Sequence, residues 1–184
     1  MNLINSTSKY GLITRFLHWI IVLLFLNQFV SATIMTWAER GAFKGELFAW
    51  HKAIGLLILF TATVRFTLKK LSRQPKWAEG LQPWEKSSLI FIERCLYIIM
   101  FLMPVSGILM SLTGGYKISF FGLFHIPGLS ESNTLLRDIF WFLHTTTSYA
   151  IIALISIHFA FVLRRQIFEK DGYLRRMLPF ANQK

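Results

Sequence analysis

The chain contains one cysteine, Cys95, and has no C-x-x-C-H motif. A single cysteine excludes an intrachain disulfide, a cysteine-rich metal cluster and a haem attached through thioether bonds. Any haem that this chain binds must therefore be held non-covalently.

Charged residues are also scarce, and acidic residues are the scarcest. Asp, Glu, Lys and Arg together make up 16% of the 184 residues, with 9 acidic and 20 basic side chains, whereas hydrophobic residues make up 54%. The mean hydropathy is +0.48. This composition leaves too few polar residues to cover a soluble globule and is typical of an integral membrane protein. We predict one membrane domain over residues 1–184.

Four long apolar segments account for the hydrophobic content. Each supplies the roughly 20 residues that a helix needs to cross a bilayer core of about 30 Å. They cover residues 13–37, 47–68, 87–112 and 139–163. The first is too long for the apolar region of a signal peptide, so we expect an uncleaved anchor. The predicted fold class is all-α, an integral membrane four-helix bundle.

Most basic residues lie at one end of the predicted helices. This end carries Lys9, Arg15, Arg65, Lys69, Lys70, Arg73, Lys76, Lys86, Arg94, Arg164, Arg165, Lys170, Arg175, Arg176 and Lys184. The other end carries Arg40, Lys44, Lys52, Lys117 and Arg137, partly balanced by Glu39, Glu46, Glu131 and Asp138. The positive-inside rule therefore predicts that both termini are cytoplasmic. Topology and contact with anionic lipid explain this charge better than nucleic-acid binding, which we do not expect.

The connection between the third and fourth predicted helices, residues 114–138, is rich in aromatic residues and leucine but poor in charge. We expect it to lie at the membrane interface on the outer side, with a short helix after Ser130 or Ser132. His125 falls in this segment, and we interpret it as an ordinary surface histidine. In the third helix, Pro104 predicts a bend.

The other four histidines lie in or beside the apolar segments, where a bare imidazole is hard to explain. His144 and His158 are 14 residues apart on the fourth helix, which separates them by roughly 21 Å along one face. His18 starts the first helix on the inner side, and His51 starts the second on the outer side. Topology thus pairs His18 with His158 at an inner depth and His51 with His144 at an outer depth.

Two facing imidazoles with no carboxylate nearby suit six-coordinate haem iron better than zinc or a di-iron site. We predict that the bundle encloses two b-type haems. Gly55, one turn after His51, would leave room for a macrocycle, and Gly107 would do so on the third helix. Arg65 is a candidate partner for the propionates of the inner haem, with Arg15 as a second candidate. Contact between Arg65 and lipid headgroups is an equally good interpretation.

Four stretches in chain order carry a family resemblance: YGLITRFLHW, WHKAIGLLILFTATVRF, MPVSGILMS, and FLHTTTSYAIIALISIHFAFVLRR with the tail FEKDGYLRRMLP. Over nearly its whole length the chain resembles bacterial cytochrome b561. The resemblance implies a four-helix protein of the bacterial inner membrane with two haems, whose ligands are His18, His51, His144 and His158. Some relatives carry further histidines after the last ligand, where this chain reads FAFVLRRQIF.

The family includes a superoxide oxidase, so the resemblance also implies that the chain oxidises superoxide at the outer face and reduces ubiquinone in the membrane. A cationic rim would attract the superoxide anion. Candidates for this rim are Lys52, Lys117 and Arg137. Several residues are candidates for contact with the quinone, and the sequence does not choose among them: Arg15, Arg65, Lys69, Lys70, Asn27 and Gln28.

Two other function classes stay open at this stage. One is a membrane-anchoring cytochrome b subunit that passes electrons between a partner dehydrogenase or hydrogenase and quinone. Such subunits commonly have a fifth helix, so the compact chain favours a stand-alone enzyme, for which a protein partner is not required. The other is a haem-free transporter or scaffold with histidines as proton-carrying groups. The matched depths of the histidines argue against it.

Overall fold

Four long helices dominate the computed structural model, which describes residues 3–78 and 80–180. They are α1 (Leu12–Trp37), α2 (Ala42–Leu71), α3 (Pro83–Thr113) and α4 (Thr134–Arg164). Each is long and apolar enough to cross a bilayer. The predicted all-α membrane four-helix bundle is confirmed. Lys184, a member of the predicted inner basic cluster, lies outside the described residues.

The last three helices are longer than the apolar segments that predicted them. The helix predicted at 47–68 begins five residues earlier, the one at 87–112 begins four earlier, and the one at 139–163 begins five earlier. Their added turns contain polar residues, which a search for apolar runs leaves out. Hydropathy alone therefore does not locate where these helices begin.

Side chains cap the starts of α3 and α4. At α3, Gln82 and Glu85 form a capping box, in which the Gln82 backbone N–H donates to Glu85 Oε2 at 2.9 Å, and Pro83 occupies the first turn. At α4, the Leu136 backbone N–H donates to Asn133 Oδ1 at 3.0 Å. These contacts satisfy N–H groups that have no partner within the helix. They explain why both helices begin before their apolar segments.

The connection between α3 and α4 forms a small antiparallel hairpin, with β1 (Ile118–Phe120) and β2 (Phe124–Ile126). The expected short helix after Ser130 or Ser132 is wrong, because the helix that follows them is α4 itself. At the hairpin turn, Phe121 and Gly122 both have positive φ angles, 49° and 78°. This left-handed turn reverses the chain and brings β2 back alongside β1.

The hairpin lies against the N-terminal half of α2 and leaves His125 at the surface. Ile118 is almost fully buried, whereas His125 is exposed in β2 opposite Ser119. The aromatic rings of Phe120 and Phe124 stack with centroids 5.1 Å apart. The hairpin therefore covers part of α2 without turning its histidine toward the bundle.

The helices pack as a chain of neighbours, with α1 against α2, α2 against α3 and α3 against α4. Within the described residues, no Cα–Cα distance of 8 Å or less joins α4 to α1 or to α2. A buried apolar cluster fills the centre and includes Ile21, Phe25, Ile54, Ile58, Ala62, Met100, Met103 and Ile151. The backbones thus approach most closely along three helix pairs, and α4 joins the central cluster with α1 and α2 through the side chain of Ile151.

A buried ion cluster fixes the inner ends of α3 and α4. The carboxylate of Glu85 contacts both Arg164 and Arg165, with Arg165 Nη1 at 3.1 Å from Glu85 Oε2. Glu85 and Arg165 are each only 2% exposed. Arg165 also contacts Asp171, which follows a π-helical turn (Arg165–Glu169). The start of α3, the end of α4 and the C-terminal tail are therefore tied together.

We expect Glu85→Gln to destabilise the protein, because the neutral amide leaves the buried guanidinium of Arg165 only partly compensated. Asp171 keeps one ionic contact, so the expected loss is about 2 kcal/mol of the free energy of unfolding, below the range for an isolated buried pair. For a chain of this size, the thermal unfolding midpoint in detergent should fall by about 4 to 8 °C. Glu131→Gln, at an exposed residue, is the control. Equal midpoints for both variants would contradict the stabilising role.

Candidate functional site

Four histidines from three helices meet in two pairs. The ring centroids of His51 on α2 and His144 on α4 are 6.2 Å apart. Those of His18 on α1 and His158 on α4 are 6.5 Å apart. The structure brings together the partners that the topology predicted, at two depths along α4.

These distances match those of two imidazoles that share one metal ion. With each metal–nitrogen bond at about 2 Å, imidazoles on opposite sides of an ion have ring centroids roughly 6.3 Å apart. Within residues 3–78 and 80–180, no three His, Cys, Asp or Glu side chains gather into one cluster. The arrangement therefore fits an ion that takes two protein ligands and receives its remaining ligands from a planar macrocycle.

The imidazole pairs connect α4 with the first two helices. Since no Cα–Cα distance of 8 Å or less joins α4 to α1 or α2 in the described residues, the paired rings are direct side-chain links between them. A pair of imidazoles at this separation is what two ligands of one ion require. The residues present therefore fit b-type haem in donor chemistry and in the separation of the paired rings.

Hydrogen bonds hold the outer imidazoles through their Nδ1 atoms. His144 Nδ1 lies 2.8 Å from the backbone oxygen of Met103 and 3.4 Å from Ser106 Oγ. His51 Nδ1 lies 3.3 Å from Ser31 Oγ. A carbonyl oxygen only accepts, so His144 carries its proton on Nδ1, which leaves Nε2 free as a metal ligand.

The structure places polar groups of α1 beside His51. Gln28, predicted as a candidate for contact with the quinone, is 5% exposed, and its Nε2 donates to the His51 backbone oxygen at 3.0 Å. Sequence reasoning missed Ser31, although a polar residue in an apolar helix is the signal that identified the histidines. A Cβ atom on Gly55 would lie 3.5 Å from Gln28 Nε2, so Gly55 faces this amide.

The inner level has a small polar cavity beside α1, α2 and α3. Arg65 and Lys69 line it together, and Arg65 Nη1 donates to the Thr14 backbone oxygen at 3.0 Å. Lys69 Nζ lies 2.5 Å from Glu93 Oε1. Other lining residues include Asn5, Tyr10, Gln74 and Tyr97. Burial raises the pKa of Tyr10, which keeps its phenol protonated.

The remaining quinone candidates are scattered. Lys70 Nζ stands 5.5 Å from the ring centroid of Phe66. Asn27 Oδ1 accepts a hydrogen bond from Trp50 Nε1 at 3.0 Å, toward the outer side. The structure therefore groups Arg65 with Lys69 but does not bring Lys70 or Asn27 to the same cavity.

Comparison with known proteins bears on this four-histidine arrangement. The family model described as prokaryotic cytochrome b561 matches residues 9–180. The chain belongs to the prokaryotic cytochrome b561 family. It is also 25% identical over 179 residues to cytochrome b561 homolog 2 of Escherichia coli (strain K12), with 97% of this chain and 95% of that protein covered.

Membership of the cytochrome b561 family confirms the resemblance seen in the sequence motifs. The protein is a multi-pass bacterial membrane protein of a family that binds b-type haem and transfers electrons. The family model spans all four helices and the tail to Phe180.

In this cytochrome, the C-terminal tail folds back onto the helix turn that carries His18. Arg15 Nη1 donates to the Leu178 backbone oxygen at 2.8 Å, and Trp19 Nε1 donates to the Met177 backbone oxygen at 2.9 Å. Arg15 is 4% exposed. The two donors precede and follow His18, so the tail is bound beside the inner imidazole pair. Arg15 therefore contacts the tail, a role that sequence reasoning did not foresee.

Two of the three predicted outer cations lie together in this b561 protein. Lys52 Nζ lies 3.4 Å from the Lys117 backbone oxygen and 5.3 Å from the ring centroid of Tyr116. Arg137 instead forms an ion pair with Asp138, with Nη2 and Oδ1 2.8 Å apart. Lys52 and Lys117, called the outer cationic pair, are therefore neighbours through a backbone contact, whereas the charge of Arg137 is largely compensated.

We expect Trp19→Phe to loosen the tail of this cytochrome, because it removes one hydrogen bond while keeping an aromatic ring. A loss of about 1 kcal/mol corresponds to a roughly fivefold rise in the population of the detached tail. Trypsin cleavage after Arg175 and Arg176, followed by mass spectrometry of the C-terminal fragment, should accelerate by that factor. Trp141→Phe, on the exposed surface of α4, is the control. Unchanged cleavage would show that Trp19 does not hold the tail.

Proposed function

We propose that this protein is a di-haem cytochrome in which His18 and His158 ligate an inner haem b and His51 and His144 ligate an outer one. The observation that carries the proposal is the pair of centroid distances, 6.5 and 6.2 Å, which match imidazoles on opposite sides of one iron. When bound, haem iron supplies a one-electron carrier at each depth. We infer that residues 1–184 act as one membrane domain.

The side chains would confine the chemistry to electron transfer. Each haem iron would be held by two histidines, which would leave no position for oxygen species to bind the metal. His144 and His158 hold the two levels roughly 21 Å apart along α4. Arg65, at the inner cavity, would pair with a propionate. Arg15 is engaged with the tail and is the less suitable propionate partner.

The proposed reaction converts two superoxide anions, one ubiquinone and two protons into two oxygen molecules and one ubiquinol. Each superoxide loses one electron at the outer face, and the quinone gains two electrons and two protons. Lys52 and Lys117 would raise the local concentration of the anion. The excess of basic residues at the opposite end supports cytoplasmic termini in the bacterial inner membrane.

The inner cavity supports reduction of quinone near the inner pair. Arg65 and Lys69 place positive charge there, and Glu93 is a carboxylate that can carry a proton. A quinone head needs both features as it is reduced. The cations stabilise the negative charge that the electrons bring, and the carboxylate can pass on protons. We therefore place the quinone at the acyl-chain side of this cavity.

The direct test is reduction of the purified protein in lipid nanodiscs by a superoxide flux without any protein partner, followed by addition of ubiquinone. We expect the b-type bands to appear and then to disappear with stoichiometric formation of ubiquinol. Reduction that requires a partner dehydrogenase or hydrogenase would instead identify a membrane-anchoring cytochrome b subunit. A protein that binds no haem would contradict both functions.

We expect His51→Ala and His144→Ala to remove the same haem, and His18→Ala and His158→Ala to remove the other one. Each variant should fall from two haems per chain to one, because each replacement leaves one iron with a single protein ligand. The pyridine haemochrome assay, normalised to protein mass, measures this ratio. His125→Ala, in the exposed hairpin, should keep both haems. Loss of both haems from every variant would contradict two separate pairs.

We expect Lys117→Glu to slow reduction by superoxide about tenfold at low ionic strength, because it reverses the outer charge that attracts the anion. The dependence of the rate on salt should flatten at the same time. Stopped-flow measurement of haem reduction at several salt concentrations gives both quantities. Lys86→Glu, at the opposite end of the bundle, should leave the rate unchanged. A rate that is insensitive to Lys117→Glu would exclude attraction by this cationic pair.

A further inference from the structure

We propose that α3, which carries no histidine, sets the redox potential of the outer haem by holding His144. Three groups of α3 surround this imidazole: the carbonyl of Met103, the hydroxyl of Ser106 and the bare Cα of Gly107. We call them the α3 socket. The proposal rests on the haem ligation proposed above and assigns a positioning role to residues outside the four ligands.

The polar part of the α3 socket is a short hydrogen bond in a buried place. His144 Nδ1 lies 2.8 Å from the Met103 oxygen, and the same oxygen accepts from Ser106 Oγ at 2.8 Å. Ser106 is 1% exposed and Met103 is 7% exposed. Since water does not compete for this buried carbonyl, the Nδ1–H of His144 keeps its hydrogen bond to the Met103 oxygen.

The α3 socket also provides space beside the His144 ring, because Gly107 has no side chain. A Cβ atom there would lie 2.9 Å from His144 Cε1 and 3.0 Å from His144 Nδ1. Such contacts are closer than carbon atoms tolerate, so any side chain would push the imidazole away. Gly107 therefore leaves room for the ring of His144 itself. The sequence predicted that it leaves room for a macrocycle.

The two outer ligands differ in how strongly they are held. His51 Nδ1 has only a hydroxyl at 3.3 Å, whereas His144 Nδ1 has a carbonyl at 2.8 Å. Donation of Nδ1–H to a carbonyl makes the imidazole a more basic metal ligand. A more basic ligand favours the ferric state, which lowers the potential. The α3 socket therefore keeps the outer potential low and favours movement of the electron toward the inner pair.

Gly107→Ala tests this assignment by adding one methyl group to the α3 socket. The displaced imidazole should lose its short contact with the Met103 oxygen, so the midpoint potential of the outer haem should rise while that of the inner haem stays constant. Spectroelectrochemical titration of the purified protein in nanodiscs measures both potentials, and haem content per chain is measured in parallel. Gly45→Ala is the matched control, since nothing lies within 4 Å of a Cβ atom there.

Ser106→Ala tests the same assignment without adding volume. It leaves the Met103 carbonyl with one donor fewer, so the hydrogen bond from His144 should strengthen and the outer potential should fall. Opposite shifts in the two variants, both confined to the outer haem, support the proposal. An outer potential that does not move, or equal shifts of both haems, would overturn it even if two haems are bound. Absence of haem from the unmodified protein would instead refute the ligation on which the proposal rests.

Discussion

The structure depends on the pairing of imidazoles between α4 and the first two helices. Each of the two histidines of α4 faces a histidine of α1 or α2, with ring centroids 6.5 and 6.2 Å apart. Polar groups in an apolar surrounding need partners. A single imidazole would be costly at either level, and one ion shared by the two rings of a pair would offset that cost.

Different parts of the chain support the two levels. At the outer level, α3 holds His144 through a backbone carbonyl, and α1 holds the region of His51 through Gln28 and Ser31. At the inner level, the support comes from the C-terminal tail, which is bound by donors on either side of His18. The ion cluster around Glu85 anchors that tail to the helix ends.

Much of the fold and the histidine pairs could be predicted because they follow from hydropathy, helix geometry and topology. The prediction located α1 within one residue at its start but placed the starts of α2, α3 and α4 too late, because their first turns are polar and those of α3 and α4 are set by local caps. The hairpin turn at Phe121 was missed because a left-handed aromatic residue has no clear sequence signal. The Met103 carbonyl could not be predicted at all, since every residue carries one and only tertiary packing selects it.

The position of α4 in the chain determines when the histidine pairs can form during synthesis. Both imidazole pairs include a side chain of α4, which is the last of the four helices to leave the ribosome. Neither pair can form while only α1, α2 and α3 are in the membrane. Under the proposed ligation, haem binding at either level therefore requires insertion of α4, and a chain that stops before α4 would have two unpaired histidines and no complete site.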